Sequence, residues 1–173
     1  MSFLSRLFAT DDPRDRYRPL YDGIVAAGRD PAWFQGGQVP DTVDGRFDII
    51  AALLALLLLR LERDESAGRA SVLIAELFIA DMDGNIRQMG IGDLMVGKNV
   101  GKMMGALGGR LAAFRAALAA DEGLAAPVRR NVFRDAPPSD AAVTFVSRRL
   151  ERFHDQLHAE PIDRLLDGAV PQP

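Results

Sequence analysis

The stretch "FDIIAALLALLLLRLER", Phe47 to Arg63, decides the fold of this 173-residue chain. Its apolar run from Ile49 to Leu59 is flanked by Asp48 and Arg60 and is shorter than the ~20 residues that a membrane-spanning helix needs. A helix that is apolar on nearly every face is typical of the interior of a protein. We therefore predict that this segment is the central helix of one hydrophobic core.

The segments on both sides of the leucine tract have helical periodicity, and none shows the alternation of a strand. We predict an all-α, single-domain bundle of about six to seven helices. The predicted helices run from Pro13 to Gly28, Asp44 or Gly45 to Arg63, Ser66 to Met89, just after Gly92 to Ala120, around Val128 to Phe133, and Ser139 or Asp140 to Leu166.

Between the first two helices, Trp33 and Phe34 are too apolar to stay in water, and we expect them to close the core from a short turn. We assign residues 1–10 to a flexible N-terminus, 11–167 to the helical domain and 168–173 to a frayed tail. The apolar residues of the N-terminus, Phe3, Leu4, Leu7 and Phe8, indicate either an interfacial anchor or a disordered tail. No secretion signal is recognisable in this segment.

The composition excludes several kinds of chemical site. The chain has no cysteine, which excludes disulfides, thiolate metal sites and a cysteine nucleophile. His154 and His158 have the i, i+4 spacing that can chelate a metal or haem iron, but no third ligand is evident beside them. We predict that the pair lies on an exposed helix face, and we predict no metal and no cofactor.

Charge is unevenly distributed along the chain. Residues 1–84 sum to −5, residues 85–134 to +5 and residues 135–173 to −3. The basic middle segment either faces anionic lipid, RNA or an acidic partner, or is neutralised by acidic helices that pack beside it from both sides.

The segment "GDLMVGKN", Gly92 to Asn99, matches a phosphate-binding loop except at its last position. Such a loop follows a strand and ends in a Ser or Thr that ligates magnesium. Here the preceding segment is helical in pattern, and Asn99 has no hydroxyl. Nucleotide hydrolysis is therefore not the reading that we favour.

The same region carries a row of glycines on one helix face, Gly97, Gly101 and Gly105 at i, i+4 and i+8, followed by Gly108 and Gly109. Each glycine costs ~1 kcal/mol relative to alanine inside a helix, so the row indicates that something approaches the backbone closely. Another helix of the same fold and a helix of a partner are both open alternatives.

The stretch from Leu77 to Phe114 as a whole resembles the signature block of the ubiquinol-cytochrome c chaperone family. The matching positions, in order, are Asp81, Met82, Asp83, Arg87, Met89, Gly90, Gly92, Asp93, Leu94, Val96, Gly97, Lys98, Lys102, Met103, Gly109 and Arg110. Ile91 and Gly101 depart from the family pattern. A looser resemblance covers the rest of the chain, including the Phe47-Asp48 pair before the leucine tract.

This resemblance implies an all-α chaperone, not an enzyme and without catalytic residues, that assists assembly of ubiquinol-cytochrome c reductase, respiratory complex III. The implied client is newly made cytochrome b, and the further implied partners are the ribosome, an anionic membrane surface and a small partner protein, with no DNA. A composition of 19 Arg and 2 Lys looks bacterial. The expected location is the cytoplasm, peripheral on the inner face of the inner membrane.

The predicted partner-binding residues lie in and around the signature block: Asp81, Asp83, Arg87, Gly90, Gly92, Asp93, Met95, Gly97, Lys98, Gly101, Lys102, Met104 and Arg110. Met95 and Met104 lie off the apolar stripe and suit contact with a client, whereas Met82, Met89 and Met103 are expected in the core. The polar members also have structural readings, with Asp93 as a helix cap and Asp83 with Arg87 as an i, i+4 pair. As an alternative function, the same basic, glycine-rich face of residues 90–110 would make the protein a nucleotide- or RNA-binding adaptor.

Overall fold

The computed structural model describes residues 12–88, 93–134 and 138–173, with the side chains of these ranges except at 85–99. Within the described ranges the regular elements are all helical, which confirms the all-α prediction. Eight α-helices are present there, six of them with seven or more residues: α1 Arg18–Gly28, α2 Ala32–Gln35, α3 Val43–Leu61, α4 Gly68–Gln88, α5 Asp93–Ala119, α6 Ala125–Asn131, α7 Asp140–Ala159 and α8 Ile162–Leu166.

Helix α3 is the central helix, as its leucine tract predicts. The Thr42 hydroxyl caps its N-terminus by accepting a hydrogen bond from the backbone N–H of Gly45 at 3.1 Å. Every residue from Ile49 to Leu58 is 5% exposed or less, and α1, α5 and α7 all pack against α3. Burial on every side explains why this helix has no polar face.

The segment before α3 closes the core as predicted. Trp33 in the short helix α2 is fully buried, and its indole N–H donates a hydrogen bond to the carbonyl of Ala27 at 2.8 Å. Phe34 is partly buried beside it. The first predicted helix is also present, although its first turn, Asp15–Tyr17, is a 3-10 turn.

Helices α4 and α5 pack against each other, and residues 89–92 between them lie outside the described ranges. The predicted bounds of α5 are confirmed to within one residue. Leu107 and Phe114 of its predicted inner stripe are buried, and Met103, Leu111 and Leu118 are partly buried against the core. No described helix combines the length and the apolar character needed to cross a bilayer.

The C-terminal region differs from the prediction in two respects. The last predicted helix is interrupted: α7 ends at Ala159, Glu160 is extended (φ −77°, ψ 132°), and α8 begins after Pro161. A residue that precedes proline is disfavoured in the α conformation, which explains the break. The segment 168–173 is packed and not frayed, since Val170 lies against α1 at Gly23 and Arg149 donates a hydrogen bond to the carbonyl of Pro173 at 2.9 Å.

Candidate partner-binding site

The predicted site residues lie on one structural unit, the C-terminal half of α4 and the N-terminal two-thirds of α5. Gly90 and Gly92 fall outside the described residues. Five further predicted residues are placed as helical backbone without a described side chain: Arg87, Asp93, Met95, Gly97 and Lys98. Met89, expected in the core, also lies outside, whereas Met82 is confirmed there with 8% exposure.

Asp81 connects α4 to the first helix. One of its carboxylate oxygens accepts a hydrogen bond from the hydroxyl of Tyr21 at 2.8 Å, and Tyr21 is only 2% exposed. Burial, together with the neighbouring carboxylate, raises the pKa of the Tyr21 hydroxyl, so this group stays a donor. Asp81 therefore fixes the position of α4, and Asp83, two residues further on, is half-buried on the same helix.

Arg110 is an internal residue, which corrects its prediction as part of a binding surface. Its side chain is 2% exposed and donates hydrogen bonds to the carboxylate of Asp48, to the carbonyl of Asn131 at 2.7 Å and to the carbonyl of Ala106 at 3.0 Å. Arg134 donates a second hydrogen bond to the same oxygen of Asp48. A charge that leaves water needs an opposite charge and hydrogen bonds, and this cluster supplies them.

Asp48 was missed by sequence reasoning as a partner of Arg110. Burial raises the pKa of its carboxyl to about 6, and the two guanidinium groups act in the opposite direction. Burial likewise lowers the pKa of the Arg110 guanidinium. The sequence feature that could have identified this pair is an acidic residue directly before the apolar run of α3. A carboxylate buried there requires a cationic partner.

The glycine row on α5 faces open space. Gly101, Gly105, Gly108 and Gly109 are all exposed, and among the described residues a Cβ built on any of them meets no atom within 4 Å beyond its chain neighbours and the backbone of its own helix. None of the described helices packs on the row at these four positions, so the alternative of another helix of the same fold is wrong within the described part of the chain. Met104 on the same side of α5 is 43% exposed, as expected for a contact residue, and Lys102 is exposed.

The basic segment is largely neutralised by acidic residues from both ends of the chain. Of its six described cationic side chains, four form ion pairs: Arg110 and Arg134 with Asp48, Arg115 with Glu62, and Arg129 with Asp140. The neutralisation alternative is therefore confirmed for these four. Lys102 and Arg130 remain exposed without an ion pair to any described residue.

The two histidines lie in a different part of the molecule. Both are partly buried and line a cavity at the C-terminal ends of α3 and α5, so the prediction of an exposed helix face is wrong. In the described part of the chain, no three side chains of the metal-binding types are grouped around a common point. The structure also does not support a phosphate-binding loop, because such a loop follows a strand and the preceding element here, α4, is helical up to Gln88.

These features define an all-α protein with one open, glycine-lined helix face. The chain belongs to the ubiquinol-cytochrome c chaperone family, whose model matches residues 35–167. It is also similar to the Cbp3 homolog from Brucella abortus, of known crystal structure, with 28% sequence identity and a TM-score of 0.81 over 98% of this chain and 96% of that chain. No curated protein matches the sequence.

Proposed function

We propose that this protein is an assembly chaperone for ubiquinol-cytochrome c reductase that binds newly made cytochrome b through the open face of α5. The family membership supports the class of function. The choice of surface rests on four glycines in one helix at which a Cβ would meet no packing partner within 4 Å among the described residues.

Glycine weakens a helix by ~1 kcal/mol relative to alanine, and at four glycines of α5 no other described element packs closely enough to compensate for this cost. Small residues spaced along one face allow a second helix to approach the backbone closely, which is how apolar helices associate in membranes. A cytochrome b helix that does not yet contact its partner helices needs a surface that it can approach closely in this way. Met104 at the edge of the face adds a flexible thioether that adapts to an apolar surface.

The proposed client-binding face therefore consists of Gly101, Lys102, Met104, Gly105, Gly108 and Gly109. We propose that this face continues toward the N-terminus of α5 and the end of α4, through Arg87, Gly90, Gly92, Asp93, Met95, Gly97 and Lys98. Asp81, Asp83 and Arg110 are proposed to act by holding α4 and α5 in place. We place the protein at the cytoplasmic surface of the inner membrane, with the ribosome and a small partner protein as further partners.

The test is a gene deletion in the organism of origin, followed by the reduced-minus-oxidised haem spectrum of the membranes. We expect loss of b-type haem and of ubiquinol-cytochrome c reductase activity, both restored by the wild-type gene. The Gly101→Ala variant adds only a methyl group and restores assembly, whereas Gly101→Leu fills the face and does not. Membranes that keep the complex after deletion would contradict the proposed function.

The RNA-binding alternative is tested with the same protein. Phosphate contacts make binding strongly salt-dependent, and Lys102→Ala would then weaken it. A client interaction through the glycine face survives moderate salt and is lost in Gly101→Leu while the fold is retained. Retention of the fold is measured by circular dichroism and thermal unfolding.

A further inference from the structure

A cavity of about 920 Å³ lies between the C-terminal ends of α3 and α5, the turn before α6, and α7. It shares no residue with the client-binding face: from Gly109, the last residue of that face, to Arg115, which lines the cavity, α5 rises about 9 Å. A cavity of this size accommodates a side chain and its flanking backbone.

Apolar and acidic side chains both line the cavity. Leu59, Leu118 and Ala119 contribute aliphatic surface. Five carboxylates line the walls against two guanidinium groups: Glu62, Asp121, Glu122, Glu151 and Asp155 against Arg63 and Arg115.

Both guanidinium groups are engaged within the protein. Arg115 donates hydrogen bonds to Glu62 at 2.7 and 2.9 Å, and Arg63 lies 3.3 Å from Nδ1 of His158. Arg115 neutralises Glu62, and the other four carboxylates, those of Asp121, Glu122, Glu151 and Asp155, outnumber the single positive charge of Arg63, which gives the cavity a net negative charge. An anionic ligand is therefore disfavoured, and a cationic one is favoured.

The histidine pair forms part of the wall and presents defined hydrogen-bonding groups. The rings of His154 and His158 lie 4.3 Å apart at an interplanar angle of 61°. Burial lowers the pKa of His158 to about 4, so its imidazole is neutral, and because Arg63 donates to Nδ1 the proton is on Nε2. The Nε2–H of His158 is therefore a hydrogen-bond donor.

We propose that this cavity is a docking site for a basic segment of a partner protein, with an arginine or lysine side chain inserted between α3, α5 and α7. The aliphatic stem lies on Leu59 and Leu118, and the cationic head is held by Asp121 and Glu122. Long basic side chains combine these two requirements, an apolar stem and a charged tip. Asp155, whose side chain is 80% exposed, marks an open mouth that a residue projecting from another protein can enter.

The site is tested with the full-length protein and a fluorescein-labelled peptide, acetyl-Leu-Arg-Leu-Arg-Leu-amide, by fluorescence anisotropy at low ionic strength. The control peptide carries citrulline in place of arginine, which keeps the shape and removes the charge. We expect saturable binding of the arginine peptide and binding of the citrulline peptide that is weaker by about fivefold or more.

The charge variant is Asp121→Asn with Glu122→Gln. Its matched control is Asp22→Asn with Glu76→Gln, which removes the same charge from exposed positions that do not line the cavity. We expect the first pair of substitutions to weaken binding of the arginine peptide by about fivefold and the second pair to leave its affinity unchanged. Ala119→Trp, which fills the cavity without changing charge, is expected to weaken binding at least as much.

Three results would overturn the proposal. These are the absence of saturable binding, equal affinity for the two peptides, and equal weakening by the cavity pair and the control pair. Saturation of the site by free spermidine as tightly as by the peptide would also contradict it, since the site would then take a small cation. None of these outcomes bears on cytochrome b binding by α5, so the two proposals fail separately.

Discussion

Arg110 of α5 donates a hydrogen bond to Asp48 of α3 in the interior of the protein, where the two side chains are 2% and 3% exposed. This contact ties the helix that carries the proposed client-binding face to the central helix. Because no other described element covers the glycine face of α5, the position of this helix depends on contacts of this kind along its other side. The Asp48 and Arg110 pair is therefore a structural requirement of the proposed function.

Replacing Arg110 by methionine leaves the Asp48 carboxylate buried with only Arg134 beside it. Removing one partner of a buried ion pair is strongly destabilising, and we expect a loss of about 3 kcal/mol in the free energy of unfolding, measured by urea denaturation. The control is Arg115→Met, which removes the half-exposed pair with Glu62 and costs about 1 kcal/mol or less. Equal losses in the two variants would show that the buried pair contributes no more than a surface pair.

The stability of the fold depends on pH through Asp48. Its pKa of about 6 in the folded state is above the ordinary value of 3.8, so the folded protein binds a proton more tightly than the unfolded chain between these values. The contribution of Asp48 is therefore fully present below about pH 3.8 and is lost as the pH rises through about 6. Comparison of wild type with Asp48→Asn should favour the wild type increasingly from pH 7 to pH 4.5. A trend in the opposite direction would mean that the two guanidinium groups outweigh burial.

His158 has the opposite dependence. Burial and the nearby His154, Arg63 and Arg60 lower its pKa to about 4, below the ordinary value of 6.5. The folded state then binds fewer protons than the unfolded chain in this interval, and stability is lost as the pH falls from about 6.5 to about 4. Two-dimensional NMR of the imidazole resonances should show a neutral ring with its proton on Nε2 at pH 6. Titration of His158 near pH 6.5 would contradict the buried environment.

Replacing glycine by alanine is expected to have opposite effects on the free energy of unfolding at two positions of the chain. Gly105→Ala places its methyl group in open space and raises the free energy of unfolding by about 1 kcal/mol, since alanine is the better helix former. Gly28→Ala lowers the free energy of unfolding, because its Cβ would lie 2.6 Å from Cγ1 of Ile50. Both changes in the free energy of unfolding are measured by thermal or urea unfolding. Destabilisation by Gly105→Ala would mean that the face is covered in the protein in solution.

The helical architecture was predictable because its main signals are local. The continuous apolar run in α3 requires burial on all sides, and the spacing of the apolar residues in α5, such as Leu107 and Phe114, fixes its inward stripe. These properties depend on residues three or four positions apart. The break at Pro161 also has a local signal, but heptad-spaced residues before it favoured a single continuous helix.

The details of the site depend on contacts that sequence spacing does not encode. Asp48 and Arg110 are 62 positions apart, and 19 arginines were available as partners for one carboxylate. The glycine row was recognisable as a close-approach surface, but the choice between an internal and an external helix required the packing of α4, α3 and α6 around α5. The cavity with His154 and His158 is formed by three helix ends that lie far apart in sequence.

The most direct test of the central claim is site-specific photo-crosslinking in cells. Benzoylphenylalanine replaces Met104, which is already 43% exposed on the glycine face, and in a control strain it replaces Ala26, which is exposed on α1. Irradiation during respiratory growth is followed by purification and mass spectrometry of the adducts. We expect a cytochrome b adduct from position 104 and none from position 26. A functional protein that gives no cytochrome b adduct at position 104, or gives equal adducts at both positions, would contradict it.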